Sequence, residues 1–221
     1  MATAPPPPTT LADILRLNQD GANLLGQGKC VEALGIFQVA LSNVTGSLRQ
    51  IEPRSEDGNA GYTIAPVPVR MIPVLRDDED NICRLYANAF SAGESMADAD
   101  EAAMLLLYNF ALAWHLRGLS EGKNVYLLKA LKLYGLLKNM FETRTQVEGH
   151  GWKLLQLALL ANVGHIHSRH ARFEEAEDCI GHLRYLLSQS FDLPIDDLVF
   201  FHMTVFHADM GPCRTLAPAA Y

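Results

Sequence analysis

Small residues set how closely two helices can approach, and in this chain they recur at a fixed spacing. Gly21 is followed by Ala33, Phe37 and Ala40, and Gly164 by Ala176, Ile180 and Leu183, so both sets step 12, 4 and 3 residues. A third set, Ala111 with Ala130, Tyr134 and Leu137, keeps the last two steps and lengthens the first by 7 residues. A small residue in one helix, answered by Ala and then a bulky side chain in the next, describes a tightly packed helix hairpin. Its recurrence predicts a stack of such hairpins.

A second signature overlaps the first. YNFALAWHLRG begins at residue 108 and ANVGHIHSRH at 161, placing Asn109 and Asn162 53 residues apart. Each stands two residues before a small residue (Ala111, Gly164), with Trp114 or His167 three residues further on.

Periodicity and punctuation predict about seven helices. Thr10 as N-cap with Asp13 three residues later opens the first, which Gly26 and Gly28 close. KCVEALGIFQVALSNVTG forms the second. Asp98, Asp100 and Glu101 favour a helix start, by their charge against the helix dipole, for a helix running to about Gly118. Another follows over 124–143, with LSEGKNV as a long loop between them. Gly149 and Gly151 break the chain before WKLLQLALLANVGHIHSRH, then RFEEAEDCIGHLRYLLSQ, then a last helix with Pro194 at its first position. Residues 52–97 read as an insertion holding two short extended segments, YTIAPVPVRMIPV and ICRLYANAF. Pro66, Pro68 and Pro73 confine the first to an edge. The expected layout is a Pro-rich tail over 1–9, one all-α domain over 10–210 and a loose tail over 211–221.

The hairpin spacing resembles the tetratricopeptide repeat family in degenerate form, about three units over some 90 residues. The Trp–Leu pair expected before the first Gly is here Leu17 and Asp20, and the Pro that closes the second helix is absent from all three units. The overall layout is also similar to helical-repeat proteins of unicellular algae, a likeness that carries no activity with it. The resemblance implies a right-handed stack of antiparallel hairpins, and a partner protein or peptide held in a groove lined by the first helix of each. It assigns Asn18, Tyr108, Asn109, His115, Asn162, His165 and Arg169 to that wall. In the family an Asn there grips peptide backbone, because one amide both donates and accepts. Asn109 and Asn162 would alternatively cap or bridge neighbouring helices. The lysine that would clamp a C-terminal carboxylate is replaced by Ala158.

Other classes find less support. A net charge of −7 opposes a phosphate backbone, so no nucleic-acid partner is expected. The eight histidines, fully protonated, would bring the formal charge to +1. The longest apolar run, 102–116, spans about 22 Å as a helix, short of the roughly 30 Å hydrocarbon core, so no membrane partner is expected. MATAPPPPTT lacks a basic and an apolar segment, which with four scattered cysteines suggests the cytoplasm, with the nucleus as the alternative. In HIHSRH, His165 and His167 lie about 200° apart on a helix, and no H-E-x-x-H occurs, so no metal or cofactor is expected. No nucleophile elbow or phosphate loop appears, so no enzyme is expected. An oligomeric structural subunit is the main alternative to a peptide-binding module.

Overall fold

The computed structural model describes residues 10–47, 64–69, 81–93, 96, 98–144, 149–189 and 193–210. Both expected tails lie outside them. Seven helices and two strands follow in order: α1 Leu11–Gly26, α2 Cys30–Ser47, β1 Ile64–Pro68, β2 Asn88–Ala92, α3 Ala99–Glu121, α4 Asn124–Thr143, α5 His150–Arg169, α6 Phe173–Ser188 and α7 Ile195–Met210. The chain divides into two compact units, one of Met1–Leu75 with Ala87–Trp152, the other of Arg76–Tyr86 with Lys153–Tyr221.

In the first unit α1 packs on α2, α2 on α3 and α3 on α4, and α1 also touches α3. Thr10 accepts from the Asp13 N–H at 3.2 Å while the Asp13 carboxylate takes the Thr10 N–H at 3.1 Å, so the expected capping box is formed. Gly21 lies against the Phe37 ring so closely that any Cβ would overlap it, as a hairpin of small against bulky requires. Phe37, Ala33 and Ala40 are fully buried.

The second hairpin differs from its expected form. α3 continues to Glu121, and Gly122 ends it in the left-handed conformation (φ 63°), leaving only a two-residue turn before α4. The 7 extra residues are therefore helix, not loop. Near the turn Gly118 approaches α4 so closely that a Cβ would come 2.7 Å from Leu127 Cδ2. Further along, the Tyr134 ring of α4 lies beside Tyr108 and His115, the residues on either side of buried Ala111.

β1 and β2 pair antiparallel, with Pro66 opposite Phe90 and Pro68 opposite Asn88. In such a pair alternate residues turn both backbone polar groups away from the partner strand. Pro66 and Pro68 share that parity, so their missing N–H groups deprive β2 of nothing. β2 lies against both α1 and α3.

In the second unit, Gly164 of α5 faces α6 and residue 83 together. A Cβ there would lie 2.7 Å from Cys83 Sγ and 3.2 Å from Cys179 Cβ. Ala176, Ile180 and Leu183 are buried, and α7 packs on α6. Two smaller expectations fail. Gly151 lies inside α5, which begins at His150, and Trp152 beside it is 1% exposed, its ring 6.4 Å from that of Phe141. Pro194 precedes α7, where its carbonyl accepts from Leu198.

Candidate functional site: two asparagine clamps

Asn109 and Asn162 are both fully buried on the middle turns of α3 and α5. A buried primary amide is tolerated only when its donors and acceptor are answered, since each one left unmade costs about 1–3 kcal/mol. Both amides solve this in the same way, by taking the two backbone groups of a single extended residue.

In the first unit that residue is Phe90 of β2. Its N–H donates to Asn109 Oδ1 at 2.8 Å, and its carbonyl accepts from Asn109 Nδ2 at 2.7 Å. The second Nδ2 hydrogen of Asn109 goes to Asn18 Oδ1 at 2.8 Å. Asn18 Nδ2 in turn donates to the same Phe90 carbonyl at 3.1 Å. Asn18, Asn109 and Phe90 are all fully buried. The amide of Asn109 thus stands where a neighbouring strand would, on the edge of β2 that faces away from β1. The Phe90 ring meets Tyr108 edge-on, centroids 5.0 Å apart at 77°, and Tyr108 lies 6.0 Å from Tyr134.

In the second unit the residue is Tyr86. Its N–H donates to Asn162 Oδ1 at 2.8 Å and its carbonyl accepts from Asn162 Nδ2 at 3.1 Å. One helical turn and a half along α5, Ser168 Oγ accepts the Ile82 N–H at 3.0 Å, so the segment runs antiparallel to the helix. The Tyr86 ring stacks on Phe201 (5.1 Å, 22°) and meets Phe200 edge-on, and its hydroxyl donates to Asp197 Oδ1 at 2.7 Å. Burial pushes the Cys83 thiol up to about 12, with nearby Cys179 a smaller contribution in the same direction.

The other residues assigned to the wall divide between the units. His115 is buried in the first, its ring 6.1 Å from Tyr134 at 76°. His165 is buried in the second, and Arg169 is exposed in the last turn of α5. Asn109 and Asn162 each stand two residues before the small residue of their set, Ala111 and Gly164. Of the HIHSRH histidines, His167 and His170 are half-buried, and desolvation lowers both below the ordinary imidazole value. Among the described residues no group of three His, Cys, Asp or Glu could hold a metal, and no helix is long and apolar enough to cross a membrane.

Sequence reasoning found the gripping residues and missed what they grip. The available signal was the pair of aromatics Tyr86 and Phe90, four apart in a stretch free of Gly and Pro within the insertion. Compared with protein-family models, curated proteins and solved structures, the chain matches none.

Proposed function

We propose that the chain is a protein-interaction module built as a tetratricopeptide-like stack of hairpins, which holds an extended peptide backbone on the face formed by the first helices. The observation that carries this reading is the paired use of Asn109, whose one amide takes both the N–H and the carbonyl of Phe90. Contact between α1 and α3, with β2 laid against both, supports a wall of first helices in the first unit. Backbone hydrogen bonds supply affinity in such a mode, and side-chain pockets supply selectivity. The module would position a protein or peptide partner in the cytoplasm without turning it over. Random-peptide display against the purified full chain tests this. Enrichment of extended, aromatic-bearing sequences that crosslink to α1 or α3 is expected, and enrichment of none would overturn it.

A second reading, a structural subunit, draws on α7. Ile195, Val199, Met203 and Phe206 occupy one face of that helix and are 77%, 56%, 39% and 53% exposed. An apolar stripe of this kind commonly marks an interface. Sedimentation decides between the two: an obligate oligomer that dissociates on Val199→Asp favours the subunit, and a monomer favours the module.

A further inference from the structure

The peptide-binding reading leaves open what the clamp of the first unit takes, and its present occupant answers that. We infer that β2 is a resident ligand: residues 88–92 occupy the Asn18–Asn109 clamp as an exchangeable peptide. The site would accept in its place a foreign extended segment carrying an aromatic residue next to a small one.

Three observations lead here. First, the clamp reads backbone. Both Asn109 bonds to Phe90 go to groups that every residue but proline possesses, and Asn162 makes the same pair with Tyr86, a residue of different side chain and neighbours. A site of this chemistry has no means to insist on one sequence beyond the pocket for the ring. That pocket is specific in kind: the ring of Phe90 meets Tyr108 edge-on, and Ala89 before it is fully buried, leaving space for little more than a methyl group. Second, β2 is held on its other edge only by β1, a five-residue strand with prolines at two of its five positions. A ladder of five pairs with two prolines supplies few cross-strand bonds, so most of the hold on β2 comes from α1 and α3. Third, the site is polar and complete. Asn18 and Asn109 present two Nδ2 donors and one Oδ1 acceptor to a single residue, all fully buried. Donors left without partners at that depth are costly, so the clamp stands open for only a small fraction of the time.

A tethered occupant competes at an effective concentration on the order of millimolar. The apparent affinity for a free peptide is reduced by the fraction of time the clamp is open. Weakening the resident should therefore strengthen binding in trans. The probe is a fluorescein-labelled peptide YANAFSAG, residues 86–93 of the chain, titrated by anisotropy into the full-length protein and into its Phe90→Ala variant. The variant is expected to bind at least tenfold more tightly than the native chain, and a peptide with Ala in place of its Phe should bind neither. Equal affinities, or no binding to a variant whose helical circular dichroism is intact, would overturn the inference. Should Phe90→Ala fail to fold, amide hydrogen exchange on the native chain decides. A resident ligand requires the Phe90 N–H to exchange at least tenfold faster than the amides of residues 111–116 of α3, and equal protection would make β2 a permanent part of the core. The outcomes separate the two claims. Foreign aromatic peptides that crosslink to α1 or α3 with an affinity that Phe90→Ala leaves unchanged would preserve the interaction module and remove the resident ligand.

Discussion

The two clamps use one chemistry and secure their occupants differently. Around Phe90 the hold is on the backbone: two asparagines converge on one carbonyl, and β1 lines the opposite edge. Around Tyr86 one asparagine suffices, because the side chain is anchored independently by Phe200, Phe201 and Asp197. The contrast teaches that an amide in a helix can stand in for a β-strand, and that its occupant becomes specific only through what the aromatic ring meets.

Thiol chemistry gives the largest contrast. With Cys83 pushed up to about 12 against an ordinary value of 9.0, its thiolate at pH 8 is depleted about a thousandfold, so alkylation followed by mass spectrometry should find it nearly inert. In Asn162→Ala that protection should largely vanish, whereas in Asn109→Ala it should persist; loss in both would mean that the two clamps are not independent. Next comes stability. Asn109→Ala strands the Phe90 N–H and the Asn18 Oδ1, while the Phe90 carbonyl keeps its bond from Asn18, an expected loss of about 1–3 kcal/mol in urea unfolding. Asn162→Ala strands both backbone groups of Tyr86 and should cost about as much. No loss in either variant would show that the rings, not the amides, carry the hold.

A pH effect is expected in the first unit. Glu101 at the start of α3 lies 3.5 Å from Arg144, yet burial raises its carboxyl from 4.5 to about 7, Arg144 opposing the shift and Asp98 adding to it. The folded chain therefore holds this proton more tightly than the unfolded one. The resulting stabilisation is complete below pH 4.5 and is lost as pH rises through about 7. Glu101→Gln should flatten the dependence in that window by about 1–2 kcal/mol, measured by denaturation at pH 5 and pH 8. The smallest effect is expected from Tyr86→Phe, which removes the hydroxyl bond to Asp197 and should cost about 0.5–1.5 kcal/mol. A null result there would leave the stacked phenylalanines as the whole side-chain anchor.

Much of the scaffold was legible in the residues. The Thr10–Asp13 box, the acidic start of α3 and the bounds of α4 all depend on interactions spanning one turn, which local sequence encodes. The connection in the second hairpin was misread as a long loop, because α3 keeps its helix through Glu121 until Gly122 stops it in the left-handed conformation. Gly149 and Gly151 suggested a break before Trp152, but α5 begins at His150 and the Trp152 ring packs near that of Phe141, 11 residues away.

What the sequence by itself determined is the set of helices, their small-against-bulky seams and the presence of two asparagines on one kind of helix face. Side-chain period and capping are short-range, so a single chain read in order contains them. Only the tertiary structure decided that the asparagines close on Phe90 and Tyr86, partners 19 and 76 residues distant. An amide exposes the same donor and acceptor to a foreign peptide, a neighbouring helix or its own chain, and which one satisfies it is settled by what folding brings within about 3 Å.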